Sequence, residues 1–277
     1  MSAYFPLPPT IKIAECDNKI SGSITFLNCP NNRLKRKFFW REYGQIVFLG
    51  IYVLRNYMWT LLAVQKCNPY EFIEINRDHL DVDDHEMVVA VGKKSNSFNE
   101  NTLNLPKPDS LKVDNSIVAQ RASLNFSYLK STTSYQGEYP FSMSNLDNGS
   151  LLTFDTLKSR KNSYQKSFLI LMNISRRSTA KELVKIKIFD PKNKSDYIVL
   201  DAKKNYFSIF ETDLYEKKLK YSSTYFITSE SCLFIPIMLS FNYKNNCLSV
   251  EHTHPPTEYF FGAQKLKIAN LIKKEWL

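Results

Sequence analysis

Apolar residues along this chain recur at every second position more often than at every third or fourth. Leu183–Phe189 (LVKIKIF) alternates apolar and charged side chains, as does the shorter Ile11–Ala14 (IKIA). A period of two is that of a strand with one buried face. After Phe189 a cluster of turn formers, Asp190, Pro191, Lys192, Asn193, Lys194, Ser195 and Asp196, leads into Tyr197–Leu200, which predicts a hairpin. Ser167–Asn173, Tyr206–Phe210, Thr224–Ser229, Cys232–Phe241 and Leu248–Glu251 are rich in β-branched and aromatic residues, with short polar connections between them. Strands at this spacing predict a mainly β protein of antiparallel sandwich architecture.

The front half supplies similar material in Ser23–Leu27, Gln45–Leu54, Met58–Ala63, Glu71–Ile75 and Glu86–Val91. A faint echo links the halves. Tyr70-Glu71-Phe72-Ile73-Glu74-Ile75 before Asp78 and Leu80 parallels Tyr206-Phe207-Ser208-Ile209-Phe210 before Asp213 and Leu214, and Met87–Val91 then parallels Thr224–Thr228. The echo points to two tandem sandwich-like halves. Lys93–Ser116 is polar, with Asn96, Asn99, Asn101, Asn104, Pro106 and Pro108, and reads as a linker or long loop. The expected organisation is a β-rich half at 1–92, a polar linker at 93–116 and a C-terminal sandwich at 117–277. Ala263–Trp276 (AQKLKIANLIKKEW) places Leu266, Ile268, Leu271 and Ile272 at helical spacing and predicts a terminal amphipathic helix.

Composition narrows the chemistry. Of 277 residues only 7 are glycine, which leaves little from which to build glycine-rich phosphate loops or nucleophile elbows. Met1–Thr10 has three prolines and no basic residue, unlike a secretory signal, and the most apolar run, Ile46–Leu54, is too short to span a membrane as a helix. The five cysteines are odd in number and never form C-x-x-C, which suits free thiols in a reducing cytoplasm. Lys plus Arg outnumber Asp plus Glu by 37 to 27, giving a formal charge of +10 that favours polyanionic partners. The densest basic cluster, Arg33, Lys35, Arg36, Lys37 and Arg41 around Phe38, Phe39 and Trp40, has the residue types of a single-strand nucleic-acid platform; a solvated turn running into a core strand has the same ones.

Two segments can carry chemistry. In Val250–Tyr259 (VEHTHPPTEY), His252 and His254 lie on one side of an extended backbone, and Glu258 returns after Pro255 and Pro256, so the three can hold one divalent metal ion. Equally, both imidazoles can donate to carbonyls at a strand end closed by the prolines. The pattern H-x-H-x-x-x-E is similar to the first metal motif of cupins. It lacks that family's preceding glycine, and fewer than 20 residues follow Glu258, so no second motif is expected and the family is not assigned. The other segment is Ser134–Phe141 (SYQGEYPF), where Gly137 permits a sharp turn that can display Tyr135, Gln136, Glu138 and Tyr139 on one loop, or let the tyrosines plug a sandwich end. The acidic run Asp78, His79, Asp81, Asp83, Asp84, His85 and Glu86 has Asp-x-Asp spacing without the EF-hand glycine and closing glutamate, and reads as a solvated loop.

No complete catalytic constellation is visible. The expectation is a non-enzymatic binding or accessory protein recognising a glycan or another polar polymer through Tyr135, Gln136, Glu138, Tyr139, Glu251 and Tyr259, with no cofactor. A divalent-metal enzyme using His252, His254 and Glu258, and a basic capsid-like or nucleic-acid-binding β protein, are the alternatives.

Overall fold

The computed structural model describes residues 3–28, 46–109, 120–145, 150–155, 164–178, 183–190, 193–212, 224–229 and 231–252. Among them the protein is mainly β, with strands in four antiparallel sheets and single 3-10 turns at Arg77–His79 and Met143–Asn145. The chain divides into two compact units. One comprises Met1–Asn145 and Ile174–Ala180, and the other comprises Leu146–Asn173 and Lys181–Leu277.

The first unit contains β1 (Ala3–Leu7), β2 (Ser21–Asn28), β3 (Val47–Arg55), β4 (Met58–Cys67), β5 (Phe72–Asn76), β6 (Val88–Lys93), β7 (Asn101–Thr102), β8 (Gln120–Tyr128), β9 (Ser131–Gln136) and β10 (Tyr139–Pro140). They form a six-stranded sheet in the order β10-β1-β6-β3-β4-β7 and a four-stranded sheet in the order β5-β2-β8-β9. The unit extends to Asn145 because β8 pairs with β2 along its length, from Ser21 opposite Ser127 to Asn28 opposite Gln120. The β3–β4 hairpin turns through Asn56 and Tyr57, both with positive φ (47° and 61°), the twist that suits a two-residue hairpin connection.

The second unit contains β11 (Ser150–Asp155), β12 (Gln165–Met172), β13 (Leu183–Asp190), β14 (Asn193–Lys203), β15 (Phe207–Glu211), β16 (Thr224–Ser229), β17 (Ile235–Asn242) and β18 (Cys247–His252). Its sheets run β11-β16-β13-β14 and β15-β12-β17-β18. One hydrophobic cluster joins Leu169 and Leu171 of β12, Val184, Ile186 and Ile188 of β13, Ile227 of β16 and Met238 of β17, so side chains from both sheets share it. The alternation in Leu183–Phe189 therefore does what a period of two requires: Val184, Ile186 and Ile188 enter the core while Leu183 and Lys185 stay outside.

The two units repeat one connectivity. Without the two-residue strands β7 and β10, the first unit reads β1-β6-β3-β4 and β5-β2-β8-β9. The second reads β11-β16-β13-β14 and β15-β12-β17-β18, the same order strand for strand with every pairing antiparallel. The segments linked by the echo in the sequence fall on equivalent strands, β5 with β15 and β6 with β16.

Two expectations differ from the observed elements. Ile11–Ala14 forms only an isolated bridge, Ile11 to Ile20, and the alternating stretch is too short to extend a ladder. The polar stretch 93–116 is, as far as Asp109, folded onto the first unit: it contributes β7, and Leu105 in it is fully buried. The predicted terminal helix and the basic cluster at Arg33–Arg41 lie outside the described residues.

Candidate functional site

The two segments singled out in the sequence belong to different units. Tyr135 and Gln136 end β9, opposite Leu124 and Ser123 of β8, and Tyr139 starts β10 opposite Tyr4. Alternation turns the Tyr135 ring inward and Gln136 outward, and Tyr139 is fully buried. Burial raises the Tyr135 phenol far above its ordinary value. Gly137 is required for space: a Cβ there would collide with the Leu124 side chain and come within 2.8 Å of the Tyr135 ring. The two tyrosines thus pack as core residues, and Gln136 is the exposed member of this group, with Glu138 half-buried.

In the second unit, Glu251 is an exposed residue of β18 opposite Met238, and His252 closes that strand opposite Ile237. His254, Glu258 and Tyr259 lie outside the described residues, as does the side chain of His252. Among the described residues no three His, Cys, Asp or Glu side chains are grouped to hold a metal ion.

The acidic run is tied to basic neighbours. Lys12 pairs with Asp84 at 2.6 Å, Lys19 with Asp78 at 2.7 Å, and Arg55 approaches Asp81 and Glu86 at 3.8 Å each. Burial works against the Asp78 charge, but hydrogen bonds from Lys19 and Ser21 more than offset it and hold the carboxyl below its usual value. Beneath the run, buried Arg77 donates to the carbonyls of Leu7 (3.3 Å), Pro8 (2.9 Å), Asp83 (2.5 Å) and Glu86 (2.6 Å). A buried guanidinium is costly unless its donors are used, and here they fasten the acidic loop to the end of β1.

The feature that sequence reasoning missed is a difference between equivalent sheet faces. In the first unit part of the outward face of β3 and β4 is covered by the chain that follows β6. The Phe98 ring lies on Gly50, so closely that a Cβ there would come within 2.5 Å of it, and sits 6.3 Å from the Tyr52 ring. Tyr52 donates to the Asn99 carbonyl at 3.0 Å, and the Leu61 amide donates to the Glu100 carbonyl at 2.7 Å. Next β7 pairs with Trp59 and Thr60 of β4, and Leu105 donates to the Arg176 carbonyl, which also accepts from the Trp59 indole at 3.1 Å. Asp109 returns to the start, donating its amide to the Gly92 carbonyl and accepting from the Lys94 amide. The segment is a closed strap, the compact form of a long loop whose ends meet. Under it Tyr52, on the outward side of its strand, has 0% exposure, and burial pushes its phenol up to about 12.

Among the described residues the second unit has no equivalent strap: 230–234 joins β16 to β17, whereas 94–119 joins β6 to β8. On its outward face Leu183, Tyr197 and Val199 are 63%, 52% and 51% exposed, while Phe189 of the same row is buried. Lysines stand among them. Lys187 Nζ lies 4.2 Å from the Tyr197 ring centroid and 5.7 Å from that of Phe189, Lys185 pairs with Asp201 at 2.6 Å, and Lys203 lies 5.0 Å over the Tyr206 ring. Ammonium groups held against rings, with aliphatic neighbours, make a surface that attracts anionic groups and also offers apolar contact. Its signal in the sequence was the alternation of LVKIKIF, whose charged positions mark the outward row.

No helix among the described residues is long and apolar enough to cross a membrane. Compared with family models, curated proteins and solved structures, the chain matches none.

Proposed function

We propose that this is a non-enzymatic binding or accessory protein built from two tandem β-sandwiches, and that it recognises a polar polymer through the outward face of β13 and β14. The sandwich reading is supported by the shared hydrophobic cluster of the second unit, to which β12 and β17 of one sheet and β13, β14 and β16 of the other all contribute. The binding reading keeps the expectation of a polar polymer and moves its contact surface from the tyrosine-rich loop, whose rings are buried, to a sheet face on which Tyr197 is exposed. Free thiols at Cys16, Cys67, Cys232 and Cys247 fit a reducing cytoplasm as its location.

One observation carries the reading: Tyr197 and Val199 of β14 are half-exposed beside Lys187 of β13, on the sheet face whose counterpart in the first unit carries a strap over Tyr52 of β3. Exposed apolar groups among lysines on a rigid sheet are what a binding surface for an anionic polymer requires.

The test is fluorescence anisotropy of the full chain against labelled polyglutamate, a single-stranded oligonucleotide, a sulfated glycan and a neutral glycan. We expect at least one anionic polymer to bind and the Lys187→Glu variant to bind it about tenfold more weakly, the loss of one favourable charge contact on a face of this kind. Lys244→Glu, the same charge change on β17–β18, serves as the control and should leave binding unchanged. Binding to none of the four, or equal loss in both variants, overturns the proposal.

A further inference from the structure

We infer that the polymer is a polypeptide: an extended, acidic segment of a partner protein carrying an aromatic residue, which adds along the open edge of β14 and lays its ring on the β13–β14 face. This deepens the proposed function and rests on it.

The first unit supplies the template. There the equivalent edge, that of β4, is taken by β7, with Thr102 opposite Trp59 and Asn101 opposite Thr60. The polypeptide that makes this pairing also puts Phe98 onto the outward face, where Lys93 Nζ lies 5.3 Å over its ring. Main-chain pairing and aromatic insertion are thus delivered by one extended segment. In the second unit β14 is the last strand of its sheet among the described residues, and Lys187 and Tyr197 stand on the face beside it. The five-residue connection 230–234 is too short to cross that face.

Chemistry then selects among polymers. An edge strand offers a row of backbone donors and acceptors that another peptide backbone can match and that a nucleic acid or a glycan cannot match in register. Among the described residues the charges on the face are Lys185, Lys187 and Lys203 against Asp201, and Asp201 already pairs with Lys185. Carboxylates on the incoming segment complement that surplus.

The experiment uses the full chain and a synthetic peptide with a central Phe between runs of Glu, alongside the same peptide with Ala for Phe, a single-stranded oligonucleotide and a sulfated glycan. We expect saturable binding of the Phe peptide, about tenfold weaker binding of the Ala peptide, and a similar loss in the Tyr197→Ala and Lys187→Glu variants, with Lys244→Glu unchanged. Circular dichroism of each variant confirms that it is folded. Amide exchange should slow along β14 when the Phe peptide is added, which a purely electrostatic contact would not produce. Absence of saturable peptide binding, or binding without protection of β14, overturns the inference. If the oligonucleotide or glycan instead binds with dependence on Tyr197 and Lys187, the occupant is wrong while the binding face stands; if no probe responds to either substitution, both fall.

Discussion

The two equivalent sheets, β1-β6-β3-β4 and β11-β16-β13-β14, share connectivity and differ in what lies over their outward faces. In the first, the connection that follows β6 folds back and makes Tyr52 of β3 a core residue on the outside of the sheet; in the second, where 230–234 joins β16 to β17, Tyr197 and Val199 of β14 are half in water, while Phe189 of β13 is buried. Strand order is set by which strands pair, but how much of a face is covered depends also on what a connection lays over it. Such a connection costs little to lengthen, since closure entropy rises only slowly with residue number. A repeated fold can therefore keep its core and change its surface by altering a single connection.

This contrast can be broken from the covered side first. Trp59→Ala removes a fully buried indole and its hydrogen bond to the Arg176 carbonyl, and should destabilise the protein by about 4 kcal/mol in chemical denaturation. A loss below about 1 kcal/mol would mean that the strap contributes little to the first unit. Gly50→Val should cost about 2 kcal/mol, because the new side chain takes the place of the Phe98 ring and must lift the strap from β3. Increased amide exchange at Leu61, whose amide donates to the Glu100 carbonyl, reports that lifting directly.

The pH dependence sharpens the same point. Tyr52 titrates near pH 12 when folded and near the ordinary tyrosine value of about 10 when unfolded, so the native state holds the proton more tightly. Its contribution to stability is complete below about pH 10 and is lost as pH rises toward 12. Phe98→Ala, by uncovering Tyr52, should lower that folded value, and Tyr52→Phe should make the alkaline loss of stability shallower; an unchanged profile in both variants would show that the strap does not shield this phenol. The smallest effect belongs to the open side. Val199→Thr should alter stability by less than about 0.5 kcal/mol, because the residue is exposed on β14; a larger loss would show that something covers the face.

Much of the β architecture was legible in the sequence because a period of two and β-branched clusters are local signals. Thr224–Ser229 matches β16 residue for residue, and Leu183–Phe189 is within one residue of β13. β8 and β9 escaped notice because Ser, Thr, Asn and Gln fill their outward positions and dilute the apolar row of Ala122, Leu124, Phe126 and Tyr128. The polar composition of Lys93–Ser116 suggested a linker, yet its first part is held by backbone hydrogen bonds that any composition can make.

The sequence by itself determined that this chain would be strand-rich, basic and poor in glycine, and through its alternation which rows of side chains face inward, since side-chain direction along a strand follows from backbone geometry alone. The tertiary structure alone decided that Tyr52 is interior and Tyr197 is surface. Both are tyrosines on the outward side of a strand, and what separates them is whether a distant segment returns to cover the ring, a matter of chain path that no local pattern encodes.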